Sequence, residues 1–302
     1  MVKRINHWHS AIFSAAMALR QLSLGEDRPS AYNRFFKERP DNVQAIQRMI
    51  KFLKKLAIDA GRMCLEGSEH LSAADVEFKN PKDLVTIVDK KVENFLIDEI
   101  KKIHPDHEII GEETGRTETG SDCCWIIDPI DGTTSFFHGQ PYYAVSIAFR
   151  KGEELQAGVV HAPALGQLFS AEKGQGAWLN ERRVHVSSTT QMKESVLGTG
   201  FACLRAGWEK NNMLYLNRIM PAIRDIRRCG SAAIDLAYVA AGKFDGFWEL
   251  NLNIYDIAAG VLLVHEAGGT VCDFSGGNAY PEAGIVATNG KITRELLDYL
   301  VE

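Results

Sequence analysis

The stretch Trp125-Ile126-Ile127-Asp128-Pro129-Ile130-Asp131-Gly132-Thr133-Thr134-Ser135-Phe136 constrains the fold of this chain more than any other. It starts as a short run of β-branched and aromatic residues, which reads as a buried strand. It breaks at Pro129 and ends in Gly-Thr-Thr, a good way to open a helix. Asp128 and Asp131 flank the break. Two adjacent buried carboxylates repel, and burying either without a partner is costly. A divalent cation resolves both problems. No His or Cys joins the pair, so hard oxygen ligands here suit Mg²⁺, Mn²⁺ or Ca²⁺ and not zinc. The Gly132 and Thr133 amides open the following helix, a place where phosphate binds. The competing reading is an acidic turn in which Asp128 or Asp131 caps the helix. The stretch alone leaves both open.

A chain of 302 residues has room for one large or two medium domains with a full core. The net charge of −5 gives no electrostatic case for nucleic acid or an anionic membrane as the main partner. The six cysteines form no C-x-x-C pair and no zinc spacing, and reduced thiols fit a cytoplasmic enzyme. No apolar run approaches the ~18 residues that span a membrane.

Residues 1–45 stand apart. Lys3 and Arg4 precede Ala11–Leu19, which could be a short secretory or transit segment. His7, Trp8 and His9 interrupt it, and no clean cleavage site follows. The plainer reading is an extension, with polar Glu26–Asp41 as a linker. A helix is expected from about Val43 to Leu65, and a second one around Val92–Ile100, closed by His104-Pro105. His104 and His107 read as surface residues rather than metal ligands. Glu108–Gly111 is a short strand running into Glu112-Glu113. Strands then alternate with turns to about residue 185, giving an α+β half with an antiparallel sheet. From 186 to 302, strands alternate with helices in an α/β half. Asp256 starts an apolar helix, and its plain reading is an N-cap. Glu249 ends the strand-like Phe247-Trp248-Glu249, and its plain reading is an edge residue facing water.

Several motifs in order raise the metal-and-phosphate reading. Asp83-Leu-Val-Thr-Ile-Val-Asp89, Gly111-Glu112-Glu113, Trp125 to Thr134, Arg227-Arg228-Cys229-Gly230-Ser231-Ala232-Ala233, Asp235 to Gly242, and Tyr255-Asp256-Ile-Ala-Ala-Gly260 together resemble the inositol monophosphatase family, its bacterial members in particular. The resemblance implies a layered α-β-α-β-α sandwich of the sugar-phosphatase type and a Mg²⁺-dependent, lithium-sensitive phosphatase. It implies two or three Mg²⁺ ions, replaceable by Mn²⁺, held by Glu112, Asp128, Asp131, Asp256 and the Ile130 carbonyl. It implies phosphate on the Gly132 and Thr133 amides, and a water oriented by Thr133 with Asp89 and Glu112. Gly230, Ser231 and Ala232 would line the substrate pocket, and Glu249 would grip a sugar hydroxyl.

The implied partner is a small phosphorylated polyol or sugar, inositol monophosphate first, and the implied assembly is a homodimer. Fructose 1,6-bisphosphatase, adenosine 3′,5′-bisphosphate nucleotidase and histidinol phosphatase activities share the metal motifs. A regulatory binding protein with a retained site is the reading from another class. Two positions depart from the family pattern: Tyr255 replaces the usual Trp before the last metal motif, and Ser135 replaces the usual Asn after Gly-Thr-Thr. Neither is an implied ligand, so both bear on rate and substrate preference.

Overall fold

The computed structural model describes residues 39–80 and 83–300. The readings of residues 1–38 as targeting segment, extension or linker lie outside the described residues. Helix α1, Arg39–Ser68, starts four residues before the expected Val43 and absorbs Pro40 at its second position. A proline there removes only an N–H that has no helical partner. Everything below concerns Ile46 onward. Along α1, Leu53, Leu56, Ala57, Ala60 and Cys64 are buried at helical spacing.

A small hairpin, β1 (Val76–Asn80) and β2 (Asp83–Thr86), leads straight into α2 (Ile87–Ile103). Thr86 caps α2 and Asp89 completes the capping box, so the acid of the Asp83–Asp89 motif lies in the first helical turn. Next come β3 (Glu108–Gly111), β4 (Gly115–Thr117), β5 (Cys123–Asp131), the short helix α3 (Thr133–Phe137), β6 (Ala144–Lys151), β7 (Glu154–Ala162), β8 (Gln167–Glu172), β9 (Gly176–Leu179) and β10 (Arg182–Val184). They form an eight-stranded sheet in the order β10-β9-β8-β7-β6-β5-β3-β4. One pairing departs from the antiparallel sheet expected. Strand β3 runs parallel to β5, because β4 turns back along β3 at the sheet edge before the chain re-enters as β5.

The second half holds β11 (Val196–Thr199), α4 (Ala202–Arg205), α5 (Asn212–Ile219), β12 (Asp225–Arg227), α6 (Ala232–Ala240), β13 (Gly246–Glu249), α7 (Ile254–Glu266), β14 (Thr270–Cys272), β15 (Ile285–Thr288) and α8 (Thr293–Asp298). Its sheet order is β12-β11-β13-β15-β14. Strand alternation sorts the side chains into layers. Trp125 and Ile127 pack with α1 and α2, whereas Cys124 and Ile126 pack with α6 and α7. Phe247 and Ala287 face α6 and α7 from the other sheet, whereas Trp248 and Val286 face α5 and α8. The result is helices, sheet, helices, sheet, helices: the expected α-β-α-β-α sandwich. Helix α7 is buried all along Ile257–Val264, as a helix between two sheets must be.

Two close approaches make that middle layer possible. A Cβ at Gly260 of α7 would sit 2.6 Å from Leu236 of α6, and one at Gly158 of β7 would sit 3.0 Å from the Ala259 backbone. Gly260→Ala is therefore expected to cost about 1–3 kcal/mol by overpacking. Thermal unfolding by circular dichroism should show a drop of several degrees; an unchanged midpoint would contradict the contact.

The histidines differ from the surface reading. His104 and His107 stack with centroids 4.5 Å apart, beside Trp125, and Trp125 Nε1 donates to His107 Nδ1 at 3.0 Å. Both rings are half-buried, and burial lowers both pKa values. All six cysteines are free thiols. Among the described residues, no helix is long and apolar enough to cross a membrane.

Candidate active site

Strand β5 carries a bulge between Asp128 and Asp131: Asp128 pairs with Ser146, but Asp131 pairs with Ala144. Two residues on β5, Pro129 and Ile130, thus oppose one on β6, Val145. Pro129, which lacks an N–H for the ladder, sits where the ladder is already broken. The bulge also inverts the alternation. In a regular strand residues three apart point to opposite faces. Here Ile130 joins the core under α1 and α2, and Asp131 turns to the same side as Asp128.

Asp256 arrives from α7, in the helix's first turn, where Asn253 N–H donates to its Oδ2 at 2.5 Å. One carboxylate oxygen each from Asp128, Asp131 and Asp256 lies within 4.8 Å of the other two. Glu112 stands outside that group, yet its charge raises the pKa of all three. Burial is the larger cause in each. Asp128 and Asp256 are pushed well above the carboxylate range, and Asp131 to about 6. Asp131 is held lower because Ser231 Oγ and the Ala233 amide both donate to its Oδ2 at 2.6 Å. Among the described residues no lysine or arginine forms an ion pair with any of the three. Three converging carboxylates, Asp128 buried and the other two half-buried, with only Arg205 partly offsetting the charge of Asp131, fit a hard divalent cation.

The turn bearing Glu112 is held from behind by a residue the sequence did not single out. Glu93 of α2 is fully buried, and its carboxylate accepts from Glu113 N–H at 2.9 Å and Thr114 N–H at 2.7 Å. Gly111 has no side chain because a Cβ would meet Glu93 Oε1 at 2.7 Å. Glu93 sits at a core-facing helical position, and only the fold reveals what it holds.

Thr133 and Asp89 meet across 44 residues of sequence. Thr133 Oγ1 lies 3.1 Å from both Asp89 Oδ1 and the Ile130 carbonyl oxygen. The other Asp89 oxygen accepts from Thr86 N–H at 2.9 Å and Thr86 Oγ at 2.5 Å. Burial pushes Asp89 up to about 7, against these hydrogen bonds. Gly132, between Asp131 and Thr133, has φ +96°, and a Cβ there would meet the Tyr142 carbonyl at 2.7 Å. Only glycine fits that turn.

Two adjoining cavities of about 560 and 440 Å³ open on this cluster. Asp131, Asp256, Glu112 and Gly230 border both. Gly132 and Thr133 border the smaller one; Ser231, Ala232 and Glu249 border the larger. The structure therefore gathers around one cleft all twelve residues singled out from sequence, apart from Asp89, which reaches it through Thr133. Glu249 corrects its plain reading. Strand β13 lies inside the five-stranded sheet, not at its edge, and Glu249 is only 6% exposed. Burial pushes it up to about 7; the Ala202 amide, which donates to it at 3.0 Å, and the charges of Arg228 and Arg205 oppose that rise. Asp256 is both helix-capping and part of the cluster.

Arg205 and Arg228 border both cavities, and neither was assigned a role from sequence. Arg205 ends the four-residue α4, too short to show any period. Arg228 lay in plain view within the Arg227–Ala233 motif. At the departures, Tyr255 borders the larger cavity, and burial together with the neighbouring carboxylates raises its phenol pKa. Ser135 Oγ would lie 3.1 Å from a Cβ at Gly230, so a larger residue at 135 would crowd that wall.

The profile of the inositol monophosphatase family matches residues 45–302. An inositol-1-monophosphatase of Mesorhizobium japonicum is 41% identical over 82% of this chain and 94% of its own. A Nus factor SuhB of Pseudomonas aeruginosa is 43% identical over 83% of this chain and 95% of its own. In solved structures, the suhB protein of Bartonella henselae superposes with a TM-score of 0.80 at 38% identity, covering 84% of this chain and 99% of that one. An IMPase of Thermotoga maritima does so with a TM-score of 0.77 at 37% identity, covering 84% and 96%. Sequence profile, relatives and superposed structures agree: the chain belongs to the inositol monophosphatase family.

Proposed function

We propose that this protein is a Mg²⁺-dependent phosphomonoesterase whose substrate is a small phosphorylated polyol, inositol monophosphate foremost. The observation that carries the reading is the meeting of three converging carboxylates with the Thr133–Asp89 pair and Glu249 around one cleft. Asp128, Asp131 and Asp256, with Glu112 and the Ile130 carbonyl, would hold the metal. When bound, Mg²⁺ lowers the pKa of the attacking water and neutralises phosphate oxygens and the leaving alkoxide.

The chain's own residues supply the rest. The Gly132 and Thr133 amides, unengaged by the helix they open, donate to the phosphate. Thr133 Oγ accepts a hydrogen bond from the water and hands its own proton toward Asp89. Asp89, whose pKa sits near 7, is matched to accept a proton at neutral pH. Glu249 accepts hydrogen bonds from substrate hydroxyls on the far side of the cleft. No cysteine or serine nucleophile is required, so no covalent phosphoenzyme forms.

Glu249 separates this reading from a nucleotide or bisphosphate substrate. Glu249→Gln should lower kcat/KM for inositol 1-phosphate by roughly 10–100-fold, the loss of about one charge-assisted hydrogen bond. An aryl phosphate, with no hydroxyl to grip, should lose little. Equal losses on both substrates would remove the residue-level support for a polyol.

A further inference from the structure

Glu249 is not the only carboxylate sunk into the wall of the larger cavity. Asp235, in the first turn of α6, borders the same cavity and is 1% exposed. Its helix does not need it: Ser231 is the cap, accepting from Ile234 N–H at 3.2 Å. The Cys229 thiol hydrogen-bonds the Asp235 carboxylate, but among the described residues Oδ1 has no hydrogen-bond partner. Buried polar atoms in folded proteins are nearly always paired, so an orphaned oxygen beside a cavity points to a ligand the chain does not itself provide.

Strand β11 is shaped around both acids. Gly198 lies in β11 and Gly200 directly follows its last residue. A Cβ at Gly200 would collide with the Glu249 carboxylate, and one at Gly198 would touch Asp235 Cγ at 3.4 Å. The Arg228 guanidinium favours the charged form of both acids, which makes it their shared countercharge. Glu249 is the largest competing negative charge for Asp235, and Asp131 opposes the charge of both acids.

We propose that Asp235 is a second hydroxyl-reading carboxylate of the pocket, set beside Glu249 over Gly198 and Gly200, and that the ligand it takes is a phosphorylated polyol offering two neighbouring hydroxyls away from the phosphate. The proposal rests on the polyol-phosphatase reading above and deepens it. A hydroxyl can donate to an ionised carboxylate or accept from a protonated one, so Oδ1 is satisfied in either state. Two carboxylates reading two hydroxyls would also explain a polyol preference stronger than one hydrogen bond supplies, because each missing hydroxyl leaves a buried acceptor unpaired.

The test is steady-state kinetics of the full chain in saturating Mg²⁺, with inositol 1-phosphate, two of its monodeoxy analogues and p-nitrophenyl phosphate. Asp235→Asn, which keeps the shape, is expected to lower kcat/KM for inositol 1-phosphate on the order of tenfold, chiefly through KM, with p-nitrophenyl phosphate within about twofold of wild type. Wild type should lose on the order of tenfold on two different monodeoxy analogues, one for each acid, and Asp235→Asn should be indifferent to one of them. Equal losses of the variant on inositol 1-phosphate and p-nitrophenyl phosphate, or no loss on either, would overturn the proposal. If the variant does not fold, the wild-type comparison decides: loss on only one analogue leaves Glu249 as the sole reader. Failure of the polyol reading looks different, as wild type would then turn over p-nitrophenyl phosphate as well as inositol 1-phosphate.

Discussion

Asp131→Asn is expected to lower kcat by more than about 1,000-fold, because removing one carboxylate from the cluster forfeits several kcal/mol of charge stabilisation. The fold should survive. An asparagine keeps the oxygen that accepts from Ser231 Oγ and the Ala233 amide, so the link between β5 and α6 is retained. In metal-free protein the variant should melt higher than wild type. Asp131 lies within 4.8 Å of the oxygens of Asp128 and Asp256, and burial with mutual repulsion opposes all three charges. The same physics fixes a pH dependence. The folded-state pKa is raised to about 6 for Asp131 and to about 7 for Asp89 and Glu249, above the unfolded carboxylate values. Between those limits the native state binds more protons than the unfolded state, so stability falls as pH rises from about 4 to 7. Chelated wild type should therefore lose melting temperature over that window, and saturating Mg²⁺ should restore it at the upper end. A metal-free protein whose stability climbs through that window would contradict the burial of these charges.

Asp89→Asn should have the next largest effect. Asparagine cannot take the proton that Thr133 passes on, and positioned proton transfer contributes about 10²–10⁴-fold. The loss should fall in kcat, with KM near wild type, because Asp89 touches Thr133 and Thr86 rather than the cleft. Thr133→Ala should produce a comparable fall, and Thr133→Ser, which keeps the hydroxyl, should recover most of it. Asparagine also retains an acceptor for the Thr86 amide, so circular dichroism should report an intact α2. A variant with near-normal kcat would remove Asp89 from the proton path; a variant that unfolds would show its work to be capping alone.

The legible part of this site was the part encoded locally. Strand, break and helix start follow one another within Trp125–Phe136, so period and turn chemistry were enough to place Asp128, Asp131, Gly132 and Thr133 together. The α-β-α-β-α layering was readable only through resemblance, because periodicity cannot say that a wholly apolar helix such as α7 lies between two sheets. Asp256 and Glu249 show the limit. Each had a plain local explanation, and for Asp256 that explanation holds as well, since a capping carboxylate in the first turn of α7 also reaches the cluster. Glu249 failed its plain reading because β13 gains neighbours on both sides from strands far along the chain. Glu93 and Arg205 gave no signal that distinguishes them from ordinary helix residues, and Asp235 opened a quoted motif without a role attached. Their roles come from what the fold sets in front of them. The His104–His107 stack was missed because the ring beside it, Trp125, comes from β5, beyond two intervening strands.

The proposed role of the carboxylate cluster is to bind metal for the hydrolysis of polyol phosphates. The most direct measurement is phosphate release from inositol 1-phosphate by the purified chain, before and after chelation, with Mg²⁺ added back. The expected result is saturable release that chelator abolishes and Mg²⁺ restores, with Asp131→Asn silent throughout. Release that ignores the chelator, or a folded wild-type chain that releases no phosphate from inositol 1-phosphate at any Mg²⁺ concentration, would contradict it.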